Sequence, residues 1–106
     1  MTLTELLVYL DEHSGHRLLV GSVDETLRQA HAGRHADPLA GEIVALLVAA
    51  EDGAVISRAG ATTALGPLRL RYMRDDAPVE GFRMVEHVVH AIDGAFNDEA
   101  LRARTR

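Results

Sequence analysis

The hydrophobic positions of this chain follow helical spacing in several places, and one segment is apolar without a break. That segment is DPLAGEIVALLVAAEDG, from Asp37 to Gly53, and its eight residues from Ile43 to Ala50 are all apolar. Asp37 before Pro38 is a typical start of a helix, and Gly53 suits a left-handed helix end. The alanines favour helix over strand, and the run is far short of the roughly 18 residues that span a bilayer.

A helix that is apolar on all sides has to be enclosed by protein. We therefore expect this central helix to be buried on several sides and to form the middle of the core. Burial of its large side chains, at about 1.5–3 kcal/mol each, supplies roughly 10 kcal/mol of driving force for folding. The side chains predicted to be buried are Ile43, Val44, Leu46, Leu47 and Val48.

The first part of the chain has a clear helix signal and a competing strand signal. Thr2 and Glu5 have the spacing of a capping box, and leucines recur on one side of residues 3–13, which predicts a first helix. The alternative is a β-hairpin that pairs LLVYL with RLLVG, because Val8 and Tyr9 favour strands. After the first element, residues 17–20 suit one brief strand.

Two further amphipathic segments are predicted to be helices. A second capping box opens a helix at residues 23–32, whose narrow apolar side places it on the surface. Residues 79–96 form the most clearly amphipathic stretch, and Asn97 is expected to cap a short last helix within a frayed tail at 98–106. The apolar stripe of residues 79–96 consists of Phe82, Val85, Val88, Val89, Ile92 and Phe96.

Between the central and C-terminal helices the hydrophobic period changes from helical to alternating. Residues 54–58 resemble a strand, and residues 68–74 alternate between apolar and polar side chains. Gly66 and Pro67 between them are a turn signal. This region therefore predicts an antiparallel β-hairpin or small meander, with one side on the core and the other in water.

These elements together predict an α+β fold in a single domain covering residues 1–106. It would contain a buried central helix, a short antiparallel hairpin and an amphipathic C-terminal helix. The element order resembles that of a winged helix, in which the hairpin is the wing and the preceding helix reads DNA. Here the preceding helix lacks the basic or amide side chains that read bases, so we expect such a fold to contact protein instead.

Composition narrows the function classes. With 106 residues, 47% of them hydrophobic and 25% charged, the chain is typical of one globular domain. The absence of cysteine excludes disulfides, thiol catalysis and thiolate metal sites. The N-terminal sequence does not resemble a secretory signal, so we expect a cytoplasmic protein. All eleven basic residues are arginine, and the net charge of −5 opposes binding to nucleic acid or to anionic membranes.

The histidines suggest one candidate metal site. His87 and His90 are three residues apart on a predicted helix, which places both rings on one side. Glu86 and Asp93 flank them, and imidazoles with carboxylates form a ligand set suited to Zn²⁺ or another divalent metal. A third ligand would have to come from another element, and His31 or His35 could supply it only if the second helix lies alongside. A solvated polar helix face explains the same residues.

A second candidate site is a cluster of arginines in or beside the predicted hairpin. Arg58, Arg69, Arg71 and Arg74 on a solvent-facing strand would contact phosphates or an acidic partner. Charged residues on an exposed sheet also prevent edge-to-edge pairing, which explains them without any ligand.

The sequence favours a protein-interaction or regulatory module over an enzyme, since no catalytic constellation can be identified and no cofactor is indicated besides a possible divalent metal. The expected partner is a second copy or another protein, because the central and C-terminal helices carry more apolar surface than the other elements can cover. The alternatives are a winged-helix transcription regulator, a metal-binding protein that uses the paired histidines, and a small acid–base enzyme with its active site in an apolar pocket.

Overall fold

The computed structural model describes residues 1–104, with side chains described for residues 1–100, and the regular structure of this part is all α-helical. Helices α1 to α5 pack into a body of 47 × 29 × 23 Å. The predicted α+β class is therefore wrong, because residues 1–104 contain isolated β-bridges but no strand or sheet. The helices are α1 Leu3–His13, α2 Val23–His31, α3 Pro38–Ala50, α4 Arg58–Tyr72 and α5 Val79–Arg104.

The first three helices lie where the sequence predicts them. Thr2 and Glu5 form the expected capping box, in which the threonine hydroxyl accepts the Glu5 N–H at 3.1 Å and the glutamate accepts the Thr2 N–H at 3.3 Å. Asp37 caps α3 by accepting two backbone N–H groups at 3.0 and 3.2 Å, and Gly53 has a φ of 66°. Helix α1 excludes the alternative N-terminal hairpin.

The brief strand predicted at residues 17–20 is an irregular loop. The carboxylate of Asp11 accepts the N–H groups of Leu18 and Leu19 at 2.8 and 2.9 Å. The hydroxyl of Thr26 accepts the N–H of Val20 at 2.7 Å. Side chains of α1 and α2 thus satisfy the backbone groups that a strand would pair with a neighbour.

The predicted hairpin at residues 54–74 is wrong, because most of it forms α4. Ser57 caps the helix by accepting the N–H of Gly60 at 2.9 Å. Pro67 lies inside the helix, where the proline ring and its missing N–H usually destabilise a helix by about 3 kcal/mol. Leu70, which the strand pattern placed on the core side, is 70% exposed. The buried positions follow helical spacing: Ala61, Leu65 and Leu68. Their contacts with the core outweigh the turn signal at Gly66–Pro67.

The winged-helix interpretation is also wrong, since the region of the wing is this helix. The loop between α3 and α4 instead lies against the N-terminus of the chain. Ile56 donates its N–H to the carbonyl of Met1 at 2.9 Å, and Val55 forms an isolated bridge with Thr2. These contacts hold the C-terminal end of α3 close to the start of α1.

Helix α5 continues through the position where a separate last helix was predicted. Asn97 lies within α5, which packs against both α4 and α1. The ring of Tyr72 lies directly over Gly81, and the hydroxyl of Tyr9 donates to Asp98 at 3.1 Å. Of the tail predicted to fray, residues 98–104 belong to α5 and residues 105–106 lie outside the described part of the chain.

The core is built from buried hydrophobic side chains of α1, α3, α4 and α5, and α2 covers it with partly buried side chains. No helix in the described part of the chain is long and apolar enough to cross a membrane. The largest fully buried side chains are Leu6, Leu7, Leu10, Leu18, Ile43, Val44, Leu47, Ile56, Leu65, Leu68, Val85 and Ile92.

Candidate interaction surface

The four predicted metal ligands lie on α5, but its two carboxylates face arginines of α4. Glu86 accepts two hydrogen bonds from Arg69, at 2.9 and 3.1 Å. Asp93 accepts two from Arg58, at 3.2 and 2.9 Å. The hydrogen bond from Arg69 to Glu86 raises the pKa of the arginine above its usual value. Both carboxylates therefore join α4 to α5.

The two histidines of the predicted metal site have different surroundings. His87 faces His16 of the α1–α2 loop, with 2.9 Å between Nδ1 of His87 and Nε2 of His16 and ring centroids 5.1 Å apart. His90 is exposed on the same helix. Among the described residues, no three histidine or acidic side chains come together in a way that could hold a metal ion.

His35, one of the two histidines that could have supplied a third metal ligand, is buried and has a structural role. His35 is 8% exposed; its Nε2 lies 2.9 Å from the carbonyl of Leu18, and its Nδ1 accepts the N–H of Asp37 at 3.0 Å. A Cβ on Gly41 would approach the Cβ of His35 to 2.7 Å, so the glycine leaves room for this ring. The histidine thereby fixes the loop that leads into α3.

Each of the four arginines predicted to contact an anion or a partner pairs with a carboxylate of this chain. Besides the pairs of Arg58 and Arg69 with α5, Arg71 lies 2.8 Å from Glu42 and Arg74 lies 3.3 Å from Asp76. An external phosphate would have to compete with these carboxylates. The geometry does not gather the four arginines into one unpaired basic surface.

The outward side of α3 is the most distinctive surface of the molecule. Ile43, Val44 and Leu47 are fully buried as predicted, but Val48 is 41% exposed, so its predicted burial is wrong. Ala45 and Ala49 beside it are exposed, and Leu46 is partly buried. The central helix is therefore enclosed on its inner side only, and an apolar outer side faces solvent.

A groove runs along each side of this exposed strip. The groove toward α2 has a volume of about 430 Å³ and is lined mainly by apolar side chains, among them Leu27, Ala30 and Val48. The groove toward α4 has a volume of about 490 Å³, between Leu46 and small residues that include Ala59 and Ala64. We call the surface formed by Ala45, Leu46, Val48, Ala49 and the walls of both grooves the α3 face.

Charged and polar side chains border the apolar strip of the α3 face. Arg28 and His31 of α2 line the groove toward α2, and Arg28 pairs with Glu25 of its own helix. Glu51 lines the same groove just after the end of α3, and Asp52 beside it is exposed.

A second group of exposed apolar side chains surrounds the turn between α4 and α5. Its members carry large side chains, and three of them, Met73, Val79 and Phe82, line a depression of about 310 Å³. They are Leu70, Met73, Val79 and Phe82, which are 70%, 61%, 57% and 38% exposed, and we call them the turn patch.

Comparisons of the chain with protein-family models, with curated proteins and with solved structures find no match. The sequence did not identify the α3 face, although Ala45 and Ala49 are one helical turn apart and mark a side of α3 that small residues occupy.

Proposed function

We propose that this protein is a non-catalytic protein-interaction module of the cytoplasm, and that the α3 face is its binding surface. The observation that carries the proposal is the apolar outer side of α3, which remains exposed between two apolar grooves. Extended apolar surfaces bordered by polar groups are typical of protein-binding sites.

The size and shape of the α3 face suit a protein partner. A standard interface buries about 800 Å² on each partner, which is roughly one-eighth of the 6547 Å² accessible surface of this chain. The face spans parts of four of the five helices. Its small alanine side chains allow the backbone of an incoming helix to approach closely, and the grooves on either side can receive larger apolar side chains.

Photo-crosslinking in the cells that produce the protein tests this proposal. A benzophenone amino acid replaces Val48 in one variant and His90, which is exposed on α5 away from the α3 face, in a control. We expect covalent protein adducts from position 48 and few from position 90. An equal yield from the two positions, or no adduct at position 48, would contradict the proposal.

Divalent metal binding is a second candidate function, and the contact between His16 and His87 favours it. Two imidazole nitrogens from different elements lie 2.9 Å apart there, which supplies two of the ligands that Zn²⁺ or Cu²⁺ requires. Calorimetric titration with Zn²⁺ compares the native chain with the His16→Ala/His87→Ala variant. Binding heat of equal size in both proteins would exclude these histidines as a site.

A further inference from the structure

We infer that helix α2 is a lid on the α3 face, that the neutral ring of His35 holds this lid closed, and that protonation of the ring releases it. The inference rests on the proposed function for what the lid regulates, because α2 forms one wall of the groove beside Val48. It adds control by pH: the groove is complete in neutral solution and loses its α2 wall in mildly acidic solution.

Helix α2 is the helix that apolar burial anchors least. Each of the other helices contributes at least three buried hydrophobic side chains to the core, whereas the one buried side chain of α2 is that of Thr26. The apolar residues of α2 that contact the core, Val23, Leu27 and Ala30, are only partly buried. Segments with little apolar burial are the ones that open locally while the rest of a protein stays folded. Helix α2 is therefore the element best suited to move by itself.

Polar contacts hold α2 in place instead. Among the described side chains, the buried polar ones are Ser14, Thr26 and His35, and all three lie in α2 or in the loops that flank it. The hydroxyl of Thr26 accepts the N–H of Val20 at 2.7 Å and donates to the carbonyl of Ser22 at 2.9 Å. Thr26 thus fastens the N-terminal end of α2, and His35 fastens the C-terminal end.

His35 joins the loop after α2 to the loop before it. Its Nε2 lies 2.9 Å from the carbonyl of Leu18, a fully buried residue whose N–H is held by Asp11 of α1. Its Nδ1 accepts the N–H of Asp37 at the start of α3. Because a carbonyl only accepts and an N–H only donates, the ring is the neutral tautomer with its proton on Nε2. The closed position of α2 therefore requires an uncharged His35.

Protonation of His35 breaks this connection. A proton on Nδ1 would face the N–H of Asp37, so two donors would meet, and the positive charge would lie in a site that is only 8% exposed. Arg34, the preceding residue, carries a charge of the same sign. The closed lid is therefore favoured above about pH 6.5, where a free imidazole is neutral, and is weakened as the pH falls below that value.

The carboxylates around His35 are already engaged and do not compensate a positive ring. Asp37 uses its carboxylate to cap α3. Glu42 of α3, which lines a cavity of about 280 Å³ beside the ring, pairs with Arg71 of α4. Asp11 of α1 accepts two N–H groups of the α1–α2 loop, and the lining residues on the α2 side of the cavity are uncharged. A protonated ring is therefore better solvated outside its site.

Two glycines next to α2 give the backbone the freedom that this movement needs. Gly21 and Gly33 lie just before and just after the helix, with φ of 69° and 68°, and glycine crosses between positive and negative φ at little cost. Once His35 is released, α2 can turn about these two positions while α1, α4 and α5 stay packed. Its movement takes Leu27 and Ala30 out of the wall of the α2-side groove.

Hydrogen exchange measured by mass spectrometry on the full chain tests the lid. After correction for intrinsic exchange, the amides of α2 should exchange about tenfold faster at pH 5.5 than at pH 7.5, because one pH unit below 6.5 favours a protonated open form about tenfold. The amides of α1 and α5 should be equally protected at both pH values. Equal protection of α2 at both pH values, or a loss in all helices together, would overturn the lid.

Substitutions distinguish His35 from the other titrating groups. His35→Gln removes the ionisable ring, so α2 should exchange equally fast at both pH values, whereas His90→Gln should keep the tenfold difference. Gly41→Ala should displace the ring, since a Cβ there would approach the Cβ of His35 to 2.7 Å, and should open α2 already at pH 7.5. A pH difference that persists in His35→Gln, or unchanged protection of α2 in Gly41→Ala, would contradict the role of His35.

Nitrogen-15 NMR of the imidazole rings gives a result that needs no structural substitution. In the native chain at pH 7.5, His35 should show a protonated Nε2 and an unprotonated Nδ1, as its two hydrogen bonds require. A proton on Nδ1 at that pH would overturn the latch even if α2 exchanges rapidly.

These measurements use the isolated chain, so their failure and that of the proposed function are distinguishable. Absence of photo-adducts at position 48 would overturn the α3 face as a binding surface and leave the lid. Unchanged exchange of α2 would overturn the lid and leave the face. Where both stand, the yield of adducts at position 48 should fall at least about twofold in His35→Gln, and an unchanged yield would overturn the control of the face by the lid.

Discussion

The α3 face and the turn patch are both apolar and exposed, yet they differ in what they are suited to do. The side chains of the turn patch are larger, and exposure reaches 70% at Leu70, but the exposed carboxylates of Asp75, Asp76 and Glu80 adjoin them. The α3 face is made of smaller side chains that form a strip between two grooves. The continuity of an apolar surface, more than the exposure of single side chains, therefore identifies a binding surface.

The largest expected difference is between substitutions on the two sides of α3, measured as the loss in free energy of unfolding. Ile43 is fully buried, so Ile43→Ala should lower the free energy of unfolding by about 2–5 kcal/mol through lost burial and a cavity. Val48→Ala removes a side chain that is 41% exposed and should cost less than about 1 kcal/mol. Urea denaturation at a concentration at which the protein is monomeric measures both values. Similar losses would mean that the outer side belongs to the core.

The stability of the protein should depend strongly on the packing beside the turn patch and less on the exposed side chains of the patch. A Cβ at Gly81 would overlap the ring of Tyr72, so Gly81→Ala should cost about 1–3 kcal/mol. Gly66→Ala in α4 is a matched control, because a Cβ there meets nothing within 4 Å and alanine favours helix by about 1 kcal/mol. Thermal unfolding compares the two variants, and a loss at Gly66 as large as that at Gly81 would contradict the close contact of Tyr72.

The contact between Tyr9 and the end of α5 opposite the turn patch should make the free energy of unfolding depend slightly on pH in the alkaline range. Burial and the hydrogen bond to Asp98 raise the pKa of Tyr9 above its usual value of 10.0, so the folded protein favours the neutral phenol. This stabilisation is complete below about pH 10 and is lost as the pH rises through the higher pKa of the folded state. In Tyr9→Phe that loss should be absent, which urea denaturation of both chains between pH 9 and pH 11 measures. Unchanged alkaline behaviour of Tyr9→Phe would exclude this contribution.

The sequence was most informative where local signals and core contacts agree. Asp37 and Pro38 begin α3, and Thr2 with Glu5 begins α1, because capping depends on neighbouring residues. The sequence pattern gave the wrong prediction at α4. There the alternation of Leu68, Leu70 and Tyr72 indicated a strand, but contacts at helical spacing decide the structure.

The candidate sites were harder to predict because they depend on long-range pairing. The sequence showed Glu86 and Asp93 beside histidines, but it could not show that Arg69 and Arg58 of α4 occupy those carboxylates. Likewise, the apolar run of α3 indicated burial without indicating which side the neighbouring helices leave open. The exposed side of Val48 follows from where α2 and α4 lie, and no local pattern encodes that.

The sequence predicts a second copy or another protein as the partner, and the mass of the protein in solution tests most directly whether a second copy binds to the α3 face. Light scattering across the micromolar range should give about twice the chain mass of 11.5 kDa for the native protein and for Leu70→Arg, which alters the turn patch. Val48→Arg should give the mass of one chain at the same concentrations, with an unchanged helical spectrum. A native protein of 11.5 kDa throughout, or a Val48→Arg variant that remains dimeric, would contradict the account.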